Sequence, residues 1–238
     1  MDIREEGRVV SRTVDRAEID EGLRSYMLRV YNYMASGLAL TGIVAYAVSS
    51  SPQAMHAIFG TPLFWLVVLA PLGLVFFLSA RINAMQASTA QALFWVYAAL
   101  MGVSLASIFV VYTGESIARV FFITAGSFAG LSLYGYTTKR DLSGFASFLM
   151  IGLIGVIIAS VVNLFLHSSG LQFAISVIGV LVFAGLTAYD TQAIKEMYYA
   201  GDDGSVATKK SVMGALRLYL DFLNLFLLLL QLFGNRRS

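Results

Sequence analysis

The sequence predicts an all-α membrane protein of seven transmembrane helices, and three observations carry that expectation. Of 238 residues, 58% are hydrophobic and only 13% are charged, with a mean hydropathy of +0.76, a balance foreign to soluble domains of this size. The apolar residues gather into seven runs, each near the roughly 20 residues that cross a bilayer as a helix. None of the runs alternates with period two, and in lipid only helices and closed barrels satisfy the whole backbone.

In chain order, residues 1–30 form a charged cytoplasmic N-terminal segment with six arginines and seven acidic residues. It holds no apolar stretch suited to a cleavable signal. Residues 31–238 form the transmembrane domain, with runs at 31–50, 62–80, 91–112, 118–136, 145–166, 171–189 and 213–233. Pro62 suits the first turn of the second span, and Pro71 with Gly73 should bend it. Gly126 and Gly130 in the fourth run should admit a close neighbour, inside the bundle or in a dimer. The sixth helix is expected to continue past its apolar part to Tyr199 and stop at the glycine-flanked acidic loop Ala200-Gly201-Asp202-Asp203-Gly204. The seventh should start near Val212.

Orientation follows from the lysines and arginines. With the N-terminus inside, thirteen fall on the cytoplasmic side and three (Arg119, Arg236, Arg237) outside, which predicts N-in and C-out. Much chemistry is excluded. There is no cysteine and only two histidines, His56 and His167, both in outer loops without carboxylates at ligand spacing. No phosphate-binding loop, dinucleotide fingerprint or nucleophile elbow occurs, and Asp202-Asp203-Gly204 is only a fragment of a calcium loop. The expectation is therefore no enzyme, no cofactor and no nucleic-acid partner, with the lipid bilayer as the surrounding medium.

Two aspartates stand against this apolar background. Asp190 in LTAYDTQAI and Asp221 in LRLYLDFLNLF each cost roughly 2.5–3.5 kcal/mol at a helix centre. With helix ends at Tyr199 and Val212, both lie on the order of 13 Å from the cytoplasmic ends of adjacent antiparallel helices, which makes them a candidate pair. Two ionised carboxylates about 4 Å apart repel by about 4 kcal/mol at an effective dielectric near 20, so one shared proton is cheaper than two charges. Arg81, in LSARINAM, reaches a similar depth if the second helix runs to Ser88. Arg217, Asp221, Asn224 and Leu228 share one face of the seventh helix, and Thr187, Asp190, Thr191 and Ile194 one face of the sixth. The same spacing admits a plain helix-surface ion pair between Arg217 and Asp221, with Arg81 anchoring Asp190.

TAYDTQAIK, SLYGYTTKRDLSGF and GALRLYLDFLNLFLLLLQLFGNRR resemble the Bax inhibitor-1, or transmembrane Bax inhibitor motif, family, and specifically its bacterial inner-membrane branch. The resemblance covers the chain from Tyr26 to Arg237. It implies a last helix wrapped by the other six, and a pH-sensitive calcium leak in which Asp190 and Asp221 are the paired aspartates and Arg81 is the latch.

The resulting expectation is a calcium (cation) leak channel of the bacterial cytoplasmic membrane, gated by Asp190 and Asp221. Thr187, Thr191, Arg217 and Asn224 are supporting polar residues, and Glu115 is either a cation attractor at the outer mouth or a solvated loop acid. Calcium prefers six to eight oxygens, so a site of two carboxylates and a few hydroxyls binds it weakly and transiently, as passage requires. The alternative is a regulatory membrane protein that binds a membrane-bound AAA protease through its charged N-terminal segment.

Overall fold

The computed structural model describes the backbone of residues 3–237 and the side chains of residues 19–237. The side chains of most of the charged N-terminal segment lie outside the described residues. The helices are α1 (Ile3–Ser49), α2 (Pro52–Phe59), α3 (Leu63–Arg81), α4 (Ala87–Leu105), α5 (Ile108–Val111), α6 (Gly114–Thr137), α7 (Ser143–Leu166), α8 (Ser169–Glu196) and α9 (Gly204–Phe233). Six spans, α3, α4 with α5, α6, α7, α8 and α9, are each long and apolar enough to cross a membrane. A seventh arises if the apolar part of α1 is counted together with α2, which leaves it at 100°.

Local chemistry sets several boundaries. Ser51, Thr113, Ser168 and Asp203 each accept a backbone N–H three residues on, opening α2, α6, α8 and α9. Pro52 follows its cap at the first helical position, where a missing N–H costs nothing. The Asp203 cap, with Oδ1 2.7 Å from the Val206 N, starts α9 at Gly204, about two turns before the expected Val212. At the other side of the loop α8 ends at Glu196 rather than Tyr199, and Lys210 closes the connection on Asp202 at 2.5 Å. The second span stops at Arg81, short of the Ser88 that would have carried the guanidinium deeper.

α9 is the central helix. Its direct neighbours are α1, α4, α6 and α8, while α3 packs mainly on α4 and α7 on α8. Side-chain hydroxyls bind this centre: Thr41 of α1 meets the Tyr219 hydroxyl at 2.6 Å and donates toward the Ala98 carbonyl at 2.8 Å, joining α1, α4 and α9. Close approach depends on Gly135, where an added Cβ would lie 2.1 Å from the Ala188 carbonyl oxygen of α8. Gly126 and Gly130, expected to serve that purpose, face open space, because they lie on the outward side of α6.

Candidate functional site

The α8–α9 seam fixes where the aspartates meet. Gly179 packs on Leu228 and Gly214 on Ile194, and this antiparallel register sets Asp190 level with Arg217 and one turn from Asp221. The equal depths expected from helix ends do not apply, since α8 is shorter and α9 longer than expected. The two carboxyls are nevertheless near neighbours across the seam. Asp221 is 4% exposed, and its Oδ2 is buried without a hydrogen-bond partner. No N–H donor serves that oxygen.

The cation beside this pair is Arg217. Its Nη1 lies 3.8 Å from Asp190 Oδ1, an ion-pair distance too long for a direct hydrogen bond. The Arg217–Asp221 surface pair allowed by the sequence spacing is thus replaced by a pair across the seam. Arg81 is exposed and forms no ion pair among the described residues, so the latch to Asp190 is not made in this arrangement. Lys209 donates to the Asn83 carbonyl at 3.3 Å, which lays the end of α3 beside the first turns of α9, roughly 12 Å along the axis from Arg217.

The supporting residues divide. Thr187 and Thr191 are fully buried, and each donates to the carbonyl four residues back at 2.7 Å. With its proton committed, Thr191 accepts from Ser132 at 3.0 Å, and Ser132 in turn accepts from the Tyr31 hydroxyl at 2.6 Å, giving a directed chain of hydroxyls through α1, α6 and α8. Asn224 donates to the Leu220 carbonyl at 2.8 Å and so spends a donor on its own helix. Glu115 is exposed in the first turn of α6, where it complements the helix dipole, remote from the pair. No group of three or more His, Cys, Asp or Glu side chains gathers as a metal site among the described residues.

Comparison with known proteins extends the picture. The family model described as "Inhibitor of apoptosis-promoting Bax1" matches residues 23–238. The chain belongs to the Bax inhibitor-1 family. It is 51% identical over 231 residues to uncharacterized protein RP147 of Rickettsia prowazekii, covering 97% of this chain and 98% of the relative. It is 51% identical over 219 residues to inner membrane protein YbhL of Escherichia coli K12, covering 91% and 94%. An uncharacterized membrane protein of Streptococcus pyogenes, SpyM3_0260, is 37% identical over 221 residues, covering 91% and 95%.

In this Bax inhibitor-1 family member, a second polar cluster escaped the sequence reading. At the far end of the same seam a cavity of about 580 Å³ is lined in part by Asn163, Gln172, Ser176 and Gln231. Asn163 donates to Gln172 at 3.1 Å, Gln172 to Gln231 at 2.6 Å, and Ser176 to Gln231 at 2.9 Å. The signal in the sequence is amides inside or beside apolar runs, which carry no charge to set them apart. Between this cavity and the aspartates, about 21 Å along α8, Gly179, Val182 and Phe183 pack with Leu225 and Leu228, all buried.

Proposed function

We propose that this multi-pass membrane protein is a cation-permeation protein whose path runs along the α8–α9 seam and is controlled by the Asp190–Asp221 pair. The observation that carries the reading is that Asp221 Oδ2 is buried and donor-less in a seam whose register sets Asp190 one turn away. Stability is a weak reason to retain such a pair in apolar surroundings, because intramembrane charges are costly. Calcium is the favoured cargo on chemical grounds: two carboxylates with nearby hydroxyls offer hard oxygen ligands, too few for tight binding and hence suited to release.

In this arrangement the path is shut. The Leu228–Phe183 layer separates the outer cavity from the pair, as a dewetted constriction does, and Arg217 occupies Asp190. Opening requires the seam to loosen when the pair changes its proton count and Asp190 changes partner, with Arg81 as the competing cation once α3 shifts. The proposed setting is the bacterial inner membrane, in line with the name of the Escherichia coli relative, with N-terminus inside and C-terminus outside by the positive-inside count. No chemical step or cofactor enters the mechanism.

The test is calcium flux into liposomes containing the purified protein, measured across pH. Asp190→Asn and Asp221→Asn each abolish the pH response, since neither amide can share the proton. Unchanged pH-dependent flux in both variants removes the pair from the mechanism. A second reading, regulation of a membrane AAA protease, draws support from the length of α1, 47 residues, which at roughly 1.5 Å per residue exceeds the thickness of a bilayer. Loss of a co-purifying protease on deleting residues 2–18, with flux intact, favours that reading.

A further inference from the structure

A cavity of about 1030 Å³ lies between α1 and α6, two helices that are not among the main packed pairs. The gap exists because facing residues are small, Ala35 and Ala39 against Ala125 and Ala129. The lining is otherwise aliphatic and aromatic through its middle, and the two hydroxyls there, Tyr31 and Ser132, are bonded to each other. An occupant therefore finds apolar walls until the end, where Arg24 and Tyr136 line the cavity.

Arg24 also lines an adjoining cavity of about 460 Å³ with Glu21, Ser25, Arg29 and Asn32. Neither Arg24 nor Arg29 is in an ion pair among the described residues. From Arg24 to Ile43 the groove follows α1 for roughly 28 Å, close to the ~30 Å hydrocarbon core of a bilayer. Its charged end lies beside the C-terminal end of α6, which leads directly to Lys139 and Arg140.

We propose that the α1–α6 groove is a phospholipid site, with one acyl chain lying along the apolar cavity and the phosphate of an anionic headgroup held by Arg24 and Arg29. Length, dryness and a cationic terminus at one end only match an acyl chain joined to a phosphate. A partner helix fits less well, since it brings a rod about 10–12 Å across and no anion at the end where the arginines stand. The site is separate from the aspartate pair and stands whether or not the protein conducts ions.

The experiment is native mass spectrometry of the full chain released from nanodiscs of phosphatidylcholine containing increasing phosphatidylglycerol. One retained phospholipid per chain is expected, with phosphatidylglycerol preferred. Arg24→Gln and Arg29→Gln each reduce the preference roughly fivefold, and both residues are exposed, so the variants fold. Ala129→Trp fills the groove and removes the retained lipid. Retention of no lipid by the parent protein overturns the site, as does full retention by a folded Ala129→Trp, or a two-chain species that Ala129→Trp dissociates. Equal retention of the two lipids by the parent, or a preference untouched by both arginine variants, overturns the headgroup assignment.

Discussion

α7 and α9 invert the rule that governs soluble proteins. α7 has a mean hydropathy of 2.6 with 11% of its most apolar stretch buried, whereas α9, at 1.7, is 72% buried. The less hydrophobic helix occupies the centre. In water the opposite would hold, because burying apolar area is the main driving force. Within lipid that force is absent between helices, and what draws α9 inward is tight packing and hydrogen bonding to polar groups, as with Tyr219 on Thr41. Phe148 of α7, 72% exposed, needs only a lipid neighbour.

The largest blow to this arrangement should come from Gly135→Leu. Even its Cβ would meet the Ala188 carbonyl oxygen, backbone that cannot swing aside, so the expected loss exceeds the ~1–3 kcal/mol of ordinary overpacking. Loss of monodisperse protein on size exclusion checks it; a normal elution profile and melting temperature would refute the close α6–α8 contact. Next comes a paired substitution that tests the inversion itself. Phe94→Ala removes a ring with 0% exposure that packs edge-on against Tyr219 and should cost about 3–5 kcal/mol. Phe148→Ala on α7 should cost less than about 0.5 kcal/mol. Equal losses in detergent unfolding would erase the distinction between central and lipid-facing helices.

The smallest effect belongs outside the spans. Asp141, in the α6–α7 loop, has its carboxyl held below the ordinary 3.8 by the Ser143 side chain first and then by the Ser143 backbone N–H, from which it accepts at 2.8 Å. A depressed value stabilises the fold at pH above the unfolded value, and the contribution is lost as pH falls through the folded one. Asp141→Asn should accordingly lower the melting temperature slightly at pH 7, where the contribution is fully present, and leave it unchanged in strong acid, where the contribution is already lost. A loss of the same size in strong acid would mean that Asp141 contributes through something other than its charge.

How far the site was legible can be followed residue by residue. Asp190 and Asp221 stood out because carboxylates are rare in apolar runs, and the structure brings them together. Arg217 was visible as a face-mate of Asp221, yet its partner proved to be Asp190, since helical spacing constrains neighbours on one helix and says nothing of register between two. Arg81 was placed by extrapolating a helix whose end no capping residue marked. The amides at the far end of the seam carried no charge to single them out, and Tyr31 and Ser132, distant in sequence, become partners only when α1 meets α6.

By itself the sequence determined the membrane class, the runs that span, and the cost of the two buried acids, because hydropathy and length act through each segment's own contact with lipid. Tertiary structure alone decided which helix is central, which cation faces Asp190, and where a gap opens between α1 and α6. Those outcomes depend on the fit between side chains far apart along the chain, and in a solvent as apolar as the helices themselves, fit and hydrogen bonds rather than hydrophobicity select the neighbours.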